Sequence, residues 1–122
     1  MKKWLLTFSI ALFCTMAHAG AWGPGSFEND TALDWVASCI RKPGIAALEA
    51  ALTLPAQSQT IEDDDGIPAI AAAEVVAAAM GKPARQLPAE LRDWLVRQTR
   101  TDILKLLPKA KAALIRIKNP RE

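Results

Sequence analysis

The densest run of chemistry-bearing side chains is Glu62-Asp63-Asp64-Asp65-Gly66. Four carboxylates ending on a glycine invite a calcium-loop reading, because hard cations take clustered oxygen donors. Aligning Gly66 with the glycine of such a loop puts Ile61 at its first ligand position and Ala72 at its twelfth. Neither side chain carries an oxygen, so the loop pattern fails and no metal site is predicted. Asp63 and Asp65 remain as weak ligands for a surface cation, and the run otherwise reads as solvated acids ahead of a helix.

Glu28, Asp30 and Glu74 are the other carboxylates whose setting draws interest. Paired carboxylates about 5–9.5 Å apart can cut glycosidic bonds. A hydrolase using two of Glu28, Asp30, Glu74 and Asp63–Asp65 is therefore the catalytic alternative. Glu74 sits among Ala73, Val75 and Val76, where a charge must be paired or reach solvent. It is either half of an ion pair with a later base such as Arg92 or Arg97, or a pocket carboxylate with an altered pKa.

The rest of the inventory depends on the N-terminus. Met1-Lys2-Lys3 is a basic start, Trp4 to Met16 is an uncharged apolar run, and Ala17-His18-Ala19 is a small-x-small site. This is the pattern of a signal peptide, cut between Ala19 and Gly20. The apolar run is shorter than the roughly 20 residues a membrane span needs. Phe13 before Cys14 does not suit a lipoprotein signal, and there is no twin-arginine pair. The expectation is an exported protein, periplasmic or extracellular, with no stable membrane anchor and one domain over residues 20–122.

Cutting there removes Lys2, Lys3, Cys14 and the only histidine, His18. The remaining chain holds 13 bases and 13 acids, one cysteine (Cys39), no histidine and no tyrosine. Ser-His-Asp and Cys-His arrangements are excluded, as are zinc sites of the histidine-containing kinds. Cys39 reads as a small buried apolar residue or as one half of an intermolecular disulfide. Gly23-Pro24-Gly25 is not followed by the third glycine of a dinucleotide fingerprint, because Glu28 stands there; Gly81-Lys82 lacks the upstream glycine of a P-loop. No cofactor is predicted.

The balanced charge hides a split. From Gly20 to Gly81 there are nine acids and two bases, and from Lys82 to Glu122 eleven bases and four acids. Two oppositely charged halves that pack together and attract are the preferred account, ahead of a basic face for a nucleic acid or an anionic surface. The bases are not interleaved with aromatics, so nucleic acid is not expected as a partner.

The elements that must position these residues all read as helices. Asp30 or Thr31 caps the first, with Thr31-x-x-Asp34 as a capping box. Leu33, Val36, Ala37 and Ile40 mark its apolar face. Lys42-Pro43-Gly44 ends it, and Ile45 to Leu54 is a second helix with Ile45, Leu48 and Leu52 inward. Pro55 to Gly66 reads as a long polar connection. Ile67-Pro68 opens a third helix, nearly all apolar and hence central, and Gly81 ends it. Pro88 starts a fourth helix with Leu91, Trp94, Leu95 and Gln98 on one face. A fifth segment, from Thr101 or Asp102, carries Ile103, Leu106, Leu107, Ala110, Leu114 and Ile117; Pro108 either kinks it or begins a separate last helix. The predicted fold is an all-α, single-domain bundle of four to six short helices.

The opening GAWGPGSFENDTALDWV resembles the start of the bacterial family known as domain of unknown function 4259. The matching residues are Gly20, Ala21, Trp22, Gly23, Gly25, Phe27, Glu28, Asn29, Asp30, Ala32, Asp34 and Trp35. AIAAAEVVAAAMGKP, LPAELRDWL and the closing leucine-rich helix are similar to later family segments, so the likeness covers nearly all of residues 20–118. Thr31 departs from it, standing where the family commonly has another acid, and relatives often continue past Glu122 with a short tail. The resemblance implies a helical domain and carries over no catalytic residue. Gly20, Trp22, Phe27, Glu28, Asn29 and Asp30 are the motif's structural or recognition residues. Trp22 and Phe27 either anchor the opening segment to the core or form an exposed patch. Cutting at Ala19 leaves the free amine of Gly20 at the motif's first residue, available to Glu28 or Asp30.

Missing catalytic residue types and cofactor motifs favour a non-catalytic module that binds another protein, in the manner of an immunity protein or inhibitor. The alternatives are the carboxylate hydrolase and a weak cation- or ligand-binding module using residues 62–65. The oligomeric state has no signature in the sequence.

Overall fold

The computed structural model describes residues 25–57 and 61–118, with the Asp63 side chain outside that description. Six helical segments follow one another: α1 (Asp30–Arg41), α2 (Ala46–Gln57), α3 (Asp63–Ala79), α4 (Ala89–Val96), α5 (Arg100–Leu104) and α6 (Leu107–Lys118). The described residues contain no strand.

Asn29 caps α1. Its backbone is extended, and its side-chain oxygen accepts from the Ala32 N–H at 2.8 Å. The cap thus falls before the expected Asp30 or Thr31, and the expected capping box is not used. Asn satisfies a first-turn N–H as well as Asp or Ser does. The buried stripe of α1 is Ala32, Val36 and Cys39, flanked by the half-buried Trp35 and Ile40. Leu33 is 45% exposed and Ala37 is exposed, contrary to the expected face. A broad apolar arc leaves its centre undefined, and here the small Ala32 and Cys39 turn toward the core.

After Lys42-Pro43, Gly44 takes the left-handed conformation with φ 64, which glycine adopts without strain. Helix α2 runs three residues past its expected end, through Pro55. The proline lies in the last turn and costs one backbone bond there, while its ring is fully buried.

Helix α3 begins at Asp63, not at Ile67-Pro68. The N–H groups of Asp65 and Gly66 both reach the Glu62 carbonyl, at 2.9 and 2.8 Å. The acidic run is therefore the first helical turn, where carboxylates complement the exposed N–H groups. The expected long connection shrinks accordingly. As expected, α3 is central: it packs against α1, α2, α5 and α6. Ala69, Ala71, Ala72, Val75, Val76 and Ala79 are buried along it.

The end of α3 is a Schellman motif. Gly81, at φ 89, donates to Ala78 at 2.9 Å, and Lys82 donates to Ala77 at 2.9 Å. That leaves the Ala79 carbonyl, which Arg100 Nε meets at 2.7 Å. Pro88 caps α4, whose buried residues are Leu91 and Trp94; Leu95 and Gln98 on the expected face are half-buried. Pro108 is the second residue of α6 and so begins a separate last helix. Ile103, Leu106, Ala110 and Ala113 reach the core, but Leu114 is 42% exposed and Ile117 half-buried.

Candidate functional site

The described part of the opening motif, from Gly25 onward, is knitted into the bundle. Gly25 to Glu28 forms a turn, with the Glu28 N–H reaching the Gly25 carbonyl at 3.3 Å. A Cβ on Gly25 would overlap the side-chain amide oxygen of Gln86, so this turn lies directly on the segment between α3 and α4. Ser26 Oγ donates to Glu74 Oε2 at 3.0 Å, tying the turn to the middle of α3 across 48 residues of sequence. Phe27 is 4% exposed and joins the main core cluster. Asn29 caps α1 with its oxygen, while its Nδ2 is buried without a hydrogen-bond partner among the described residues.

Of the aromatics in question, Phe27 is therefore an anchor. Trp22 and Gly20 lie outside the described residues, and with them the seat of the Gly20 amine. Glu28 and Asp30 are exposed on the outside of the turn and of α1. Glu74 is half-buried, with a hydroxyl as its partner in place of the expected guanidinium. Arg92 and Arg97 instead donate to the Leu87 and Asp93 carbonyls, each at 3.3 Å.

The acidic turn of α3 faces a different region. Asp64 and Asp65 line a cleft of about 210 Å³ together with Trp35, Lys42, Leu54 and Pro68. Among the described residues no group of three or more Asp, Glu, Cys or His side chains is arranged to hold a metal ion.

Cys39 is 1% exposed, and burial pushes its thiol up to about 11 from 9.0. It is protonated at neutral pH and lies below the surface that a second chain could reach. The intermolecular disulfide considered from sequence would require the core to open. Lys109 pairs with Glu49 at 2.9 Å and joins the basic half to the acidic half. Both side chains are about half exposed, so this contact adds little stability.

A third region has no counterpart in the sequence expectations. The C-terminal end of α3 and the α4–α5 corner enclose a partly open groove of about 410 Å³, lined by Ala78, Ala79, Gly81, Leu95, Val96, Gln98 and Arg100. Val96 is 79% exposed at its edge. The missed signal was local: Val96 is apolar, yet it lies off the Leu91, Trp94, Leu95 face. Ser26 and Arg100 gave no signal, because each is defined by a partner remote in sequence.

These elements define an all-helical domain in which Phe27, of the described part of the opening motif, is built into the core. The family model described as Domain of unknown function (DUF4259) matches residues 20–122, and the chain belongs to that family. No curated protein and no solved structure gives a significant match.

Proposed function

We propose that the chain is exported, is cut between Ala19 and Gly20, and serves as a non-catalytic domain that binds another protein. The leader pattern supports export. Among the described residues no helix is long and apolar enough to cross a membrane. The observation that carries the binding reading is the groove beside Val96. In a fold whose described buried side chains are all apolar, an open apolar groove is edged by a residue that is 79% exposed. Apolar side chains gathered around an open groove offer a partner more contact than the exposed apolar residues scattered singly elsewhere, such as Leu33 and Ile115. Chemistry by carboxylates would instead call for a pair of them converging in one shaped polar cavity; Glu28 and Asp30 are exposed, Glu74 takes the Ser26 hydroxyl, and Asp64 and Asp65 line a separate cleft.

The test expresses the full chain in its native host, with photo-crosslinking residues placed singly at several exposed positions. The mass of the recovered protein should correspond to a start at Gly20, and one protein adduct should recur across replicates. A retained leader would refute export and cleavage. Failure of every position to give a recurrent protein adduct would refute the binding role.

A further inference from the structure

We infer that the groove between the end of α3 and the α4–α5 corner docks a protein segment that carries apolar anchors flanked by carboxylates. This rests on the binding role proposed above and names the face and the chemistry of the partner.

The groove has two components. Its walls are apolar: Ala78 and Ala79 from α3, Leu95 and Val96 from α4. The alanines leave room, and Val96 offers its side chain outward. Its rim is cationic. Arg100 donates through Nε to the Ala79 carbonyl at 2.7 Å, and this holds the guanidinium over the end of α3. The terminal nitrogens of that fork have no partner among the described residues, so they are set to take a carboxylate side by side.

The one charged side chain that lines the groove is basic, Arg100; the exposed Lys82 and Arg97 adjoin lining positions in sequence, while the nearest acids in sequence, Asp93 and Asp102, are exposed and lie outside the lining. Gln98 gives one of its two amide hydrogens to the Trp94 carbonyl at 3.0 Å, which leaves a second donor and the oxygen acceptor on a residue that lines the groove. An enclosed small-molecule site would bury most of its ligand. This groove is partly open and continues onto the exposed Val96, as an extended or helical segment requires.

The experiment selects a displayed library of random linear peptides against protein purified after expression of the full chain. Enriched peptides should pair apolar residues with Asp or Glu and should bind more weakly as salt is raised. Val96→Asp should weaken them about tenfold or more, equivalent to about 1.4 kcal/mol. Arg100→Lys, which keeps the charge but loses the fork, should weaken them several-fold. Lys118→Gln on α6 should leave binding unchanged, and melting temperatures will confirm that each variant is folded. Enriched peptides that bind Val96→Asp undiminished would overturn this site and leave the binding role standing. Enrichment of basic or purely apolar peptides would overturn the partner chemistry. A library that yields no binder would overturn the docking of a segment in this groove, and the binding role would then stand or fall by the crosslinking.

Discussion

Replacing Phe27 by alanine separates an anchoring motif from a recognition patch. The ring is 4% exposed and sits in the same cluster as Val36, Leu48, Val75, Leu91 and Trp94. Truncating such a ring removes its burial and leaves a cavity, a loss of about 3–5 kcal/mol. Phe27 follows Ser26 and lies two residues before the Asn29 cap, so loosening it also weakens the hold on Ala32 and Glu74. A domain of this size has about 5–15 kcal/mol of total stability, so the variant should remain folded only narrowly. With a urea slope of about 1.5 kcal/mol per M, the midpoint should fall by roughly 2–3 M. Phe27→Leu keeps most of the volume and should recover more than half of that. The assay is urea unfolding followed by tryptophan fluorescence and far-UV circular dichroism. A fall below about 0.5 M for Phe27→Ala would refute the anchoring account, because only a surface aromatic is removed so cheaply.

Three further expectations follow from named contacts. In a double-mutant cycle on Ser26→Ala and Glu74→Gln, the half-buried bond should give a coupling of about 0.5–1.5 kcal/mol by urea unfolding; additive losses would mean it contributes nothing. Arg100→Met should lose about 1 kcal/mol by leaving the Ala79 carbonyl uncapped, a fall of about 4–8 °C in Tm, with Arg100→Lys recovering part of it. The Cys39 thiol ionises near 9.0 when exposed and near 11 in the fold, so above pH 9 the unfolded chain holds fewer protons and stability falls as pH rises toward 11. The loss is at most about 2–3 kcal/mol. It should vanish in Cys39→Ala when urea unfolding of the two proteins is compared between pH 8 and pH 11.

What was legible in the sequence was local and steric. Pro88, Pro108 and Gly81 each mark the boundary they are placed to mark, because a missing N–H or a positive φ constrains its own turn whatever lies around it. The start of α3 was misplaced because Gly66 and Pro68 read as breakers. The helix runs through both: Gly66 is buried against Ile61, and the acids of the first turn complement its exposed N–H groups, so packing and the dipole together hold a turn that local breakers oppose. On α1 the apolar residues span so wide an arc that only packing could choose Ala32, Val36 and Cys39 over Leu33 and Ala37.

The candidate site was legible only as a motif. Its residue types pointed to an anchored turn, and Phe27 and Asn29 meet that description. The partners that make it one, Glu74 for Ser26 and Gln86 beside Gly25, lie on other elements and leave no periodic trace. The groove was harder still. It needs the end of α3, the off-face Val96 and the Arg100 guanidinium together, and the Arg100 bond to the Ala79 carbonyl joins positions 21 residues apart that no local pattern links.

The central claim is a division of labour: the opening motif holds the fold, and the α3–α5 edge meets the partner. Amide hydrogen exchange on the full-chain product, with and without a selected acidic-apolar peptide, tests it directly. Binding should slow exchange at Ala78–Lys82 and Leu95–Arg100 and leave Ser26–Asp30 unchanged. Slowed exchange at Ser26–Asp30, with the α3–α5 edge unaffected, would contradict it.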